Sequence, residues 1–209
     1  METETYIVYV RTDSQGCIIA INSSAFVPSD WGVEIDRGGD RYHHAQGNYL
    51  DKPLYTEDAI PRYKLAEGQV VERTEAELEA DRLPGVKARR QAENKAALAA
   101  WLADHPLTWV DGNIYGVTEA DQTEMALNLQ QYQVQVSAGR EVPLEWHTQK
   151  KQCHTFTEEQ YSALLLAIID YVYPYRRYQE AVKEQIYTAR TVEEVAAVVI
   201  DYASVTHDE

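Results

Sequence analysis

The sequence is poor in cysteine, in positive charge and in long apolar runs, and each shortage excludes a class of protein. Cys17 and Cys153 are its only cysteines among 209 residues. Two distant cysteines fit neither a disulfide-stapled domain nor a paired zinc motif, so we expect free thiols in a reducing compartment. No apolar run approaches the roughly 20 residues that cross a bilayer, and no basic segment precedes an apolar one near the N-terminus. We therefore expect no membrane partner and no signal peptide.

Basic residues are scarce. The chain has 19 Lys and Arg against 34 Asp and Glu, a formal net charge of −15. Their clusters, such as Lys87–Arg90 and Lys150–Lys151, are short. Binding to nucleic acid through phosphates requires a basic face, so we expect no nucleic-acid partner.

The sequence also lacks a phosphate loop, a dinucleotide fingerprint and a nucleophile elbow. We therefore predict that the chain is not an enzyme and takes no cofactor. The alternative rests on a glycine-punctuated stretch, residues 36–55, in which neighbouring polar residues could form a metal or acid–base site. These candidates, which we call the structured loop, are Asp40, Tyr42, His43, His44 and Asn48. Adjacent side chains of an extended segment point to different sides, so we favour the interpretation that both histidines hydrogen-bond loop backbone.

A second group is His147, Cys153 and His154, on the facing strands of one predicted hairpin. These residue types could bind zinc, or a cysteine and a histidine could act as a nucleophilic pair. However, no known metal spacing is present, and alternation along a strand places Cys153 and His154 on opposite faces. We predict no metal site here.

Tyrosine is abundant, with fifteen residues against two phenylalanines. Several lie with two arginines around Pro174; we call this set the tyrosine–arginine belt. Its members are Tyr171, Tyr173, Tyr175, Arg176, Arg177 and Tyr178. Tyr and Arg are the residue types enriched at interface hot spots, which makes the belt a candidate interaction surface. The belt could equally belong to the core, with the guanidinium groups reaching solvent.

The N-terminal part, residues 1–73, predicts a small β unit of about five short strands. Residues 5–11 and 17–21 alternate as a hairpin, and 31–35 reads as a third strand. Residues 62–64 and 69–72 predict a second hairpin. Residues 36–55 show neither helical nor strand periodicity.

Residues 74–106 predict a helical linker in two pieces. Thr74 and Glu77 form a capping box that opens a short helix, which Pro84–Gly85 ends. Lys87–Asp104 is rich in alanine and strongly helix-forming. Because its heptad pattern is not sustained, we favour a connector over one strand of an oligomeric bundle.

The C-terminal part, 107–209, predicts an α+β domain: two hairpins (107–117 and 142–156), a helix from Thr118, and a last helix from Thr191. Its longest element is Thr157–Ala189, kinked at Pro174. We predict one buried face on this helix: Tyr161, Leu164, Leu165, Ile168, Ile169 and Val172. The predicted fold is thus α+β: a small N-terminal antiparallel β unit, a linking helix, and a C-terminal antiparallel sheet covered by three helices, one long and Pro-kinked.

The C-terminal part resembles a domain of unknown function common in tailed-phage proteins, often encoded next to tail-fibre or baseplate genes. The likeness covers roughly residues 107–203 and lies in VDGNIYGVTEADQTEMALNL, PLEWHTQKKQCHTFTEEQYSALLLAIIDYVYPYRRYQEAVKEQI and TARTVEEVAAV. The matching residues are Asp111, Gly112, Trp146, Thr157, Arg177, Ile186 and Thr191–Glu194. The block GDRYHHAQGNYLDKPLY, followed by RYKL and VVERT, is similar to a recurring element of phage and prophage tail-associated proteins.

The resemblance implies a setting rather than a reaction. We expect a non-catalytic structural or interaction protein of the phage tail, an accessory of the fibre or baseplate. Its partners would be tail or fibre proteins, or further copies of itself. It would lie in the cytoplasm of the bacterial host during assembly, or in the virion tail. The alternatives are a transient fibre-assembly chaperone, which a strongly acidic chain suits, and a metal-dependent enzyme that uses His43 and His44.

Overall fold

The computed structural model describes residues 4–206 and confirms the α+β class. The chain divides into two compact units, Met1–Val86 and Lys87–Glu209. The boundary falls inside a helix, within the segment that the sequence analysis assigned to a linker. The two units are described separately below. None of the described helices combines the length and the apolar character needed to cross a membrane.

The first unit is built on a three-stranded antiparallel sheet. Strands β1 (Tyr6–Thr12), β2 (Ile18–Ser23) and β3 (Val33–Gly38) pair in the order β2–β1–β3. The β1–β2 turn is held by the Asp13 carboxylate, which accepts hydrogen bonds from the backbone N–H of Gln15 and of Cys17. The predicted first hairpin is therefore confirmed, and the third strand begins two residues later and ends three residues later than predicted.

The stretch without periodicity contains two short helical turns. A 3-10 turn covers Asp40–Tyr42, and helix α1 covers Ala45–Asn48. Each is shorter than the window over which a 3.6-residue period can be recognised, which explains why the sequence analysis missed both. The predicted second hairpin is confirmed as β4 (Tyr63–Ala66) and β5 (Gln69–Glu72), a separate two-stranded sheet. The core of this unit consists of Val8, Val10, Ile18, Ile21, Ala45 and Tyr63.

The predicted break at Pro84–Gly85 is wrong, because a single helix, α2, runs from Glu75 to Asp104. Proline at position 84 removes the donor that would bond the carbonyl of Ala80, one turn earlier. Ala80 is exposed, so water can satisfy that carbonyl. The strong helix formers on both sides then outweigh the local cost of proline and glycine.

The predicted single C-terminal sheet is also wrong. Strands β6 (Leu107–Thr108) and β7 (Ile114–Tyr115) form one two-stranded sheet, and β8 (Leu144–His147) and β9 (Cys153–Phe156) form another. Both hairpins are where the turn residues placed them. A strand of only two residues offers too few backbone groups to extend the ladder into a larger sheet.

The remaining helices begin where their caps predict. Helix α3 (Glu119–Ser137) has a capping box of Thr118 and Asp121, and α4 (Glu158–Thr188) has one of Thr157 and Gln160. Helix α5 (Val192–Ala197) starts after Thr191, whose hydroxyl accepts the N–H of Glu194. Helix α4 continues through Pro174 without interruption.

The core of the second unit lies between α4, the C-terminal part of α2, α3 and the two hairpins. Its buried members are Leu98, Leu102, Tyr115, Val117, Met125, Leu144, Trp146, Tyr161, Leu164, Ile168, Val172, Tyr175 and Tyr202. The predicted buried face of α4 is correct except for its edge: Leu165 is half-buried, and Ile169 is 46% exposed. Ile169 lies 100° around the helix from Ile168, beyond the reach of the packed layer.

Candidate interaction site

The tyrosine–arginine belt is divided between the core and the surface. Tyr175 is buried, at 5% exposure. Tyr171 and Tyr178 are half-buried, and their hydroxyls donate to the backbone oxygens of His105 and Val199, at 3.1 and 3.3 Å. Burial, together with the neighbouring Tyr175, raises the pKa of Tyr171 to about 12, so this hydroxyl stays protonated near neutral pH. These three tyrosines hold α4 in place within its own unit.

The other three belt residues face outward. The Tyr173 side chain is 59% exposed, and the Arg177 guanidinium lies 6.0 Å from the centre of its ring. Arg176 donates to the side-chain oxygen of Gln122 on α3, at 3.3 Å. The core interpretation therefore holds for Tyr171, Tyr175 and Tyr178, and the interaction surface stays a prediction for the other three. Only the outward half, Tyr173, Arg176 and Arg177, offers a surface to a partner.

A groove of about 710 Å³ opens beside the belt, between α2, the first turn of α3 and the second half of α4. Its apolar lining consists of four alanines and two leucines. The lining comprises Ala88, Gln91, Ala92, Asn94, Lys95, Leu98, Ala99, Leu102, Thr118, Glu119, Ala120, Arg176, Gln179, Glu180 and Lys183. A volume of this size lies in the range of pockets that take a ligand or several side chains of a bound peptide.

One buried polar contact fixes the two long walls of this groove. Asn94, 2% exposed on α2, donates to the backbone oxygen of Gln179 on α4, at 3.1 Å. Its side-chain oxygen accepts a hydrogen bond from the Tyr202 hydroxyl, at 2.7 Å. A buried amide that uses both its donor and its acceptor is stabilising, and leaving either group unpaired would be costly. The spacing between α2 and α4 is thereby set without help from a ligand.

The charges around the groove differ in sign from those of the whole chain. Lys95, Arg176 and Lys183 stand against only two carboxylates, those of Glu119 and Glu180. Lys183 is paired with Glu180, at 3.2 Å. The groove therefore combines an apolar floor with a rim that is slightly positive, in a chain whose net charge is −15.

The sequence pattern of residues 87–104 favours a connector, and that interpretation gives no indication of a groove. The relevant signal was present in the spacing of Ala88, Ala92 and Ala99, which share one helix face with Lys95. Alanine on the face next to a buried pair such as Leu98 and Leu102 leaves a depression wherever a second helix packs alongside. Which helix packs there is not encoded in the local pattern.

The structured loop is placed against aromatic rings. The His43 ring makes edge contacts with Tyr6 and Phe26, with centroids 4.8 and 5.1 Å apart, and lies 4.4 Å from the ring of His44. The His43 backbone oxygen accepts a hydrogen bond from the buried Ser23 hydroxyl, at 2.6 Å. One backbone acceptor and ring packing thus help to fix the loop, and among residues 4–206 the histidine rings make aromatic contacts in place of the predicted hydrogen bonds to backbone.

The second histidine group is spread over the two faces of its hairpin. His147 pairs with Cys153 across the β8–β9 ladder, and Trp146 pairs with His154. Cys153 is exposed, whereas His154 is half-buried, which confirms that they point to opposite sides. Both Cys17 and Cys153 are free thiols. Within residues 4–206, no group of three or more His, Cys, Asp or Glu side chains is arranged to hold a metal ion.

Asp111 and Tyr115 form a hydrogen-bonded pair at the other C-terminal hairpin. The Tyr115 hydroxyl donates to the Asp111 carboxylate at 2.7 Å, and Asn113 donates to it through its backbone and its side chain. Burial and the carboxylate raise the pKa of Tyr115 to about 12. Burial alone would raise the pKa of Asp111, but these hydrogen bonds hold it below its usual value. The pair closes the turn and presents no free acid or base.

No protein-family model, curated protein or solved structure matches the chain.

Proposed function

We propose that this chain is a non-catalytic, tail-associated interaction protein of a tailed phage, and that it binds a segment of a tail or fibre protein in the α2–α3–α4 groove. The phage setting rests on the motifs of residues 107–203. The observation that carries the binding role is the groove itself, a preformed and largely apolar depression of about 710 Å³ on the second unit.

The groove chemistry favours an amphipathic helix with acidic flanks as its occupant. Ala88, Ala92 and Ala99 leave room for large apolar side chains of a partner, in the way that helix-in-groove complexes use anchor residues at i, i+3 and i+7. Lys95 and Arg176 lie at the rim, where they can pair with carboxylates of the bound segment. Such rim charges contribute mainly to association rate and specificity, and the apolar anchors contribute most of the affinity.

The test is binding of purified chain to each tail and fibre protein encoded near its gene. Ala92→Trp fills the groove with an indole and should abolish binding to the true partner. Ala100→Trp is the matched control, because Ala100 is an exposed alanine of the same helix outside the groove lining. Equal binding by both variants, or no binding by the unmodified chain to any of these proteins, would refute the proposal.

Mass spectrometry of purified particles then separates two forms of the proposal. A fixed copy number in the particle means a structural component of the tail. Presence in the infected-cell lysate alone, with groove-dependent binding to the fibre protein, means the assembly-chaperone alternative.

A further inference from the structure

The outward face of α4 carries an apolar stripe. Leu166, Ile169 and Tyr173 are 59%, 46% and 59% exposed, and Ala163 beside them is also exposed. They lie three to four residues apart, which places them on one side of the helix. The core-facing residues, such as Ile168 and Val172, occupy the opposite side. Exposed apolar residues on one side of a helix make that side a candidate surface for binding another molecule.

Three residues of the stripe, Ala163, Leu166 and Tyr173, belong to a longer pattern with alternating steps of four and three residues. In order, its members are Glu159, Ala163, Leu166, Asp170, Tyr173 and Arg177, all exposed. Alternating steps of four and three are the spacing of a coiled-coil seam, and three of the six residues here, Ala163, Leu166 and Tyr173, are apolar. Glu159 and Arg177 stand at the two ends of this seam with opposite charges. Within the described part of the chain, neither of them forms an ion pair.

Two of the three residue pairs of this seam are complementary when a second copy of the helix is reversed. Consider a second α4 that runs antiparallel to the first, with the two-fold axis at the level of residue 168. Each residue then faces the residue of the second copy whose number brings the sum of the two numbers to 336. Glu159 then meets Arg177 of the second copy, and small Ala163 meets large Tyr173. Leu166 meets Asp170, and this third pair is not complementary. Each of these contacts occurs twice, as a two-fold interface requires.

We propose that the outward face of α4 binds a second copy of this chain, as an antiparallel helix pair centred on residue 168. The reciprocal charges and the pairing of small with large side chains select a second copy over an unrelated helix. The α4 residues that line the groove, such as Gln179 and Lys183, lie on another side of the helix. The inference therefore stands independently of the proposed function.

The dimer should be weak and rapidly reversible. The seam from residue 159 to 177 is about 27 Å long at about 1.5 Å per residue, which makes a small interface. Asp170 also lies near the two-fold axis, so that two carboxylates approach one another. We expect a dissociation constant in the micromolar range and a tighter dimer for Asp170→Asn.

Sedimentation velocity over a concentration series tests the proposal. The mass should rise from 23.8 kDa towards twice that value. Glu159→Arg or Arg177→Glu alone should weaken the dimer about tenfold, because each turns two attractive pairs into repulsive ones. An equimolar mixture of these two variants should restore the dimer, since both of its cross-pairs are again opposite in charge.

The remaining outcomes are equally decisive. Leu166→Asp should abolish the dimer, whereas Leu127→Asp, at an exposed leucine of α3, should leave it unchanged. A chain that stays monomeric at several hundred micromolar would overturn the proposal. So would a dimer that tolerates Leu166→Asp, or a mixture of the charge variants no tighter than each alone.

Discussion

The division of α4 into a core face and an outward face can be tested with one pair of adjacent residues. Ile168 is 0% exposed and Ile169 is 46% exposed, although both belong to the same apolar run. Replacing each by alanine makes the same chemical change in two environments. We expect a large loss in the free energy of unfolding for Ile168→Ala and a small one for Ile169→Ala.

The magnitude follows from the burial. Alanine lacks three carbon atoms of isoleucine, and at roughly 0.8 kcal/mol per buried CH2 the transfer contribution at Ile168 is about 2.4 kcal/mol. The cavity left among packed neighbours such as Leu164 and Val172 adds about 1–2 kcal/mol. The total is about 3.5–4.5 kcal/mol. At Ile169, half the transfer contribution and no cavity give about 1 kcal/mol.

Urea denaturation followed by tryptophan fluorescence measures both values, at protein concentrations low enough to keep the chain monomeric. Trp146 belongs to the same core cluster and reports its unfolding. A loss below about 1 kcal/mol for Ile168→Ala would contradict the core assignment. Equal losses for the two variants would refute the claim that these two adjacent positions lie on opposite sides of the packing boundary.

Two further predictions concern backbone and charge. Gly116→Ala would place a Cβ 2.5 Å from the Asp121 carboxylate that caps α3, so we expect it to lower the free energy of unfolding by about 1–2 kcal/mol. Gly85→Ala meets no further atom within 4 Å and should raise the free energy of unfolding by about 0.5–1 kcal/mol. The denaturation midpoints of the two variants test this difference. Hydrogen bonds from Lys64 and then from Thr74 lower the pKa of Glu77 to about 2. Because the pKa of Glu77 is lower in the folded than in the unfolded chain, its carboxylate stabilises the folded state fully above about pH 4.5. This contribution is lost as the pH falls towards 2. The difference in the free energy of unfolding between the unmodified chain and Glu77→Gln should therefore shrink over that range.

Each of these has an outcome that would contradict it. If Gly116→Ala and Gly85→Ala have equal midpoints, the close approach at Gly116 does not constrain the cap. If the difference between the unmodified chain and Glu77→Gln is the same at pH 2 and pH 5, the carboxylate of Glu77 does not contribute to folding through its charge.

The sequence predicted the elements that depend on neighbouring residues. The capping boxes of Thr118 and Thr157 place helix starts correctly because a cap is made by residues three apart. The turn residues Asp111 and Gly112 place a hairpin for the same reason, since Gly112 adopts a φ of +79° that other residues rarely adopt. These signals are short in range, and no distant contact competes with them.

The errors occurred where packing or solvent decides between two local options. Pro84 predicts a helix end, yet the helix continues, because the Ala80 carbonyl that loses its hydrogen-bond donor lies at the surface. Residues 36–55 show no periodicity, yet they contain two helical turns placed by ring contacts of His43 with Tyr6 and Phe26. These contacts join residues far apart in the chain, so no local pattern records them.

What the sequence determined by itself is the α+β class, most element boundaries and the composition of the tyrosine–arginine belt. Only the tertiary structure determines which belt residues face outward. It also determines that the alanines of α2 line a groove, whereas the sequence pattern favours a solvated connecting helix. The physical reason is the same in both cases. Helical periodicity predicts which residues share a face of the helix. Only the packing of the neighbouring helices determines which face is covered and how much of the helix surface remains accessible to a partner.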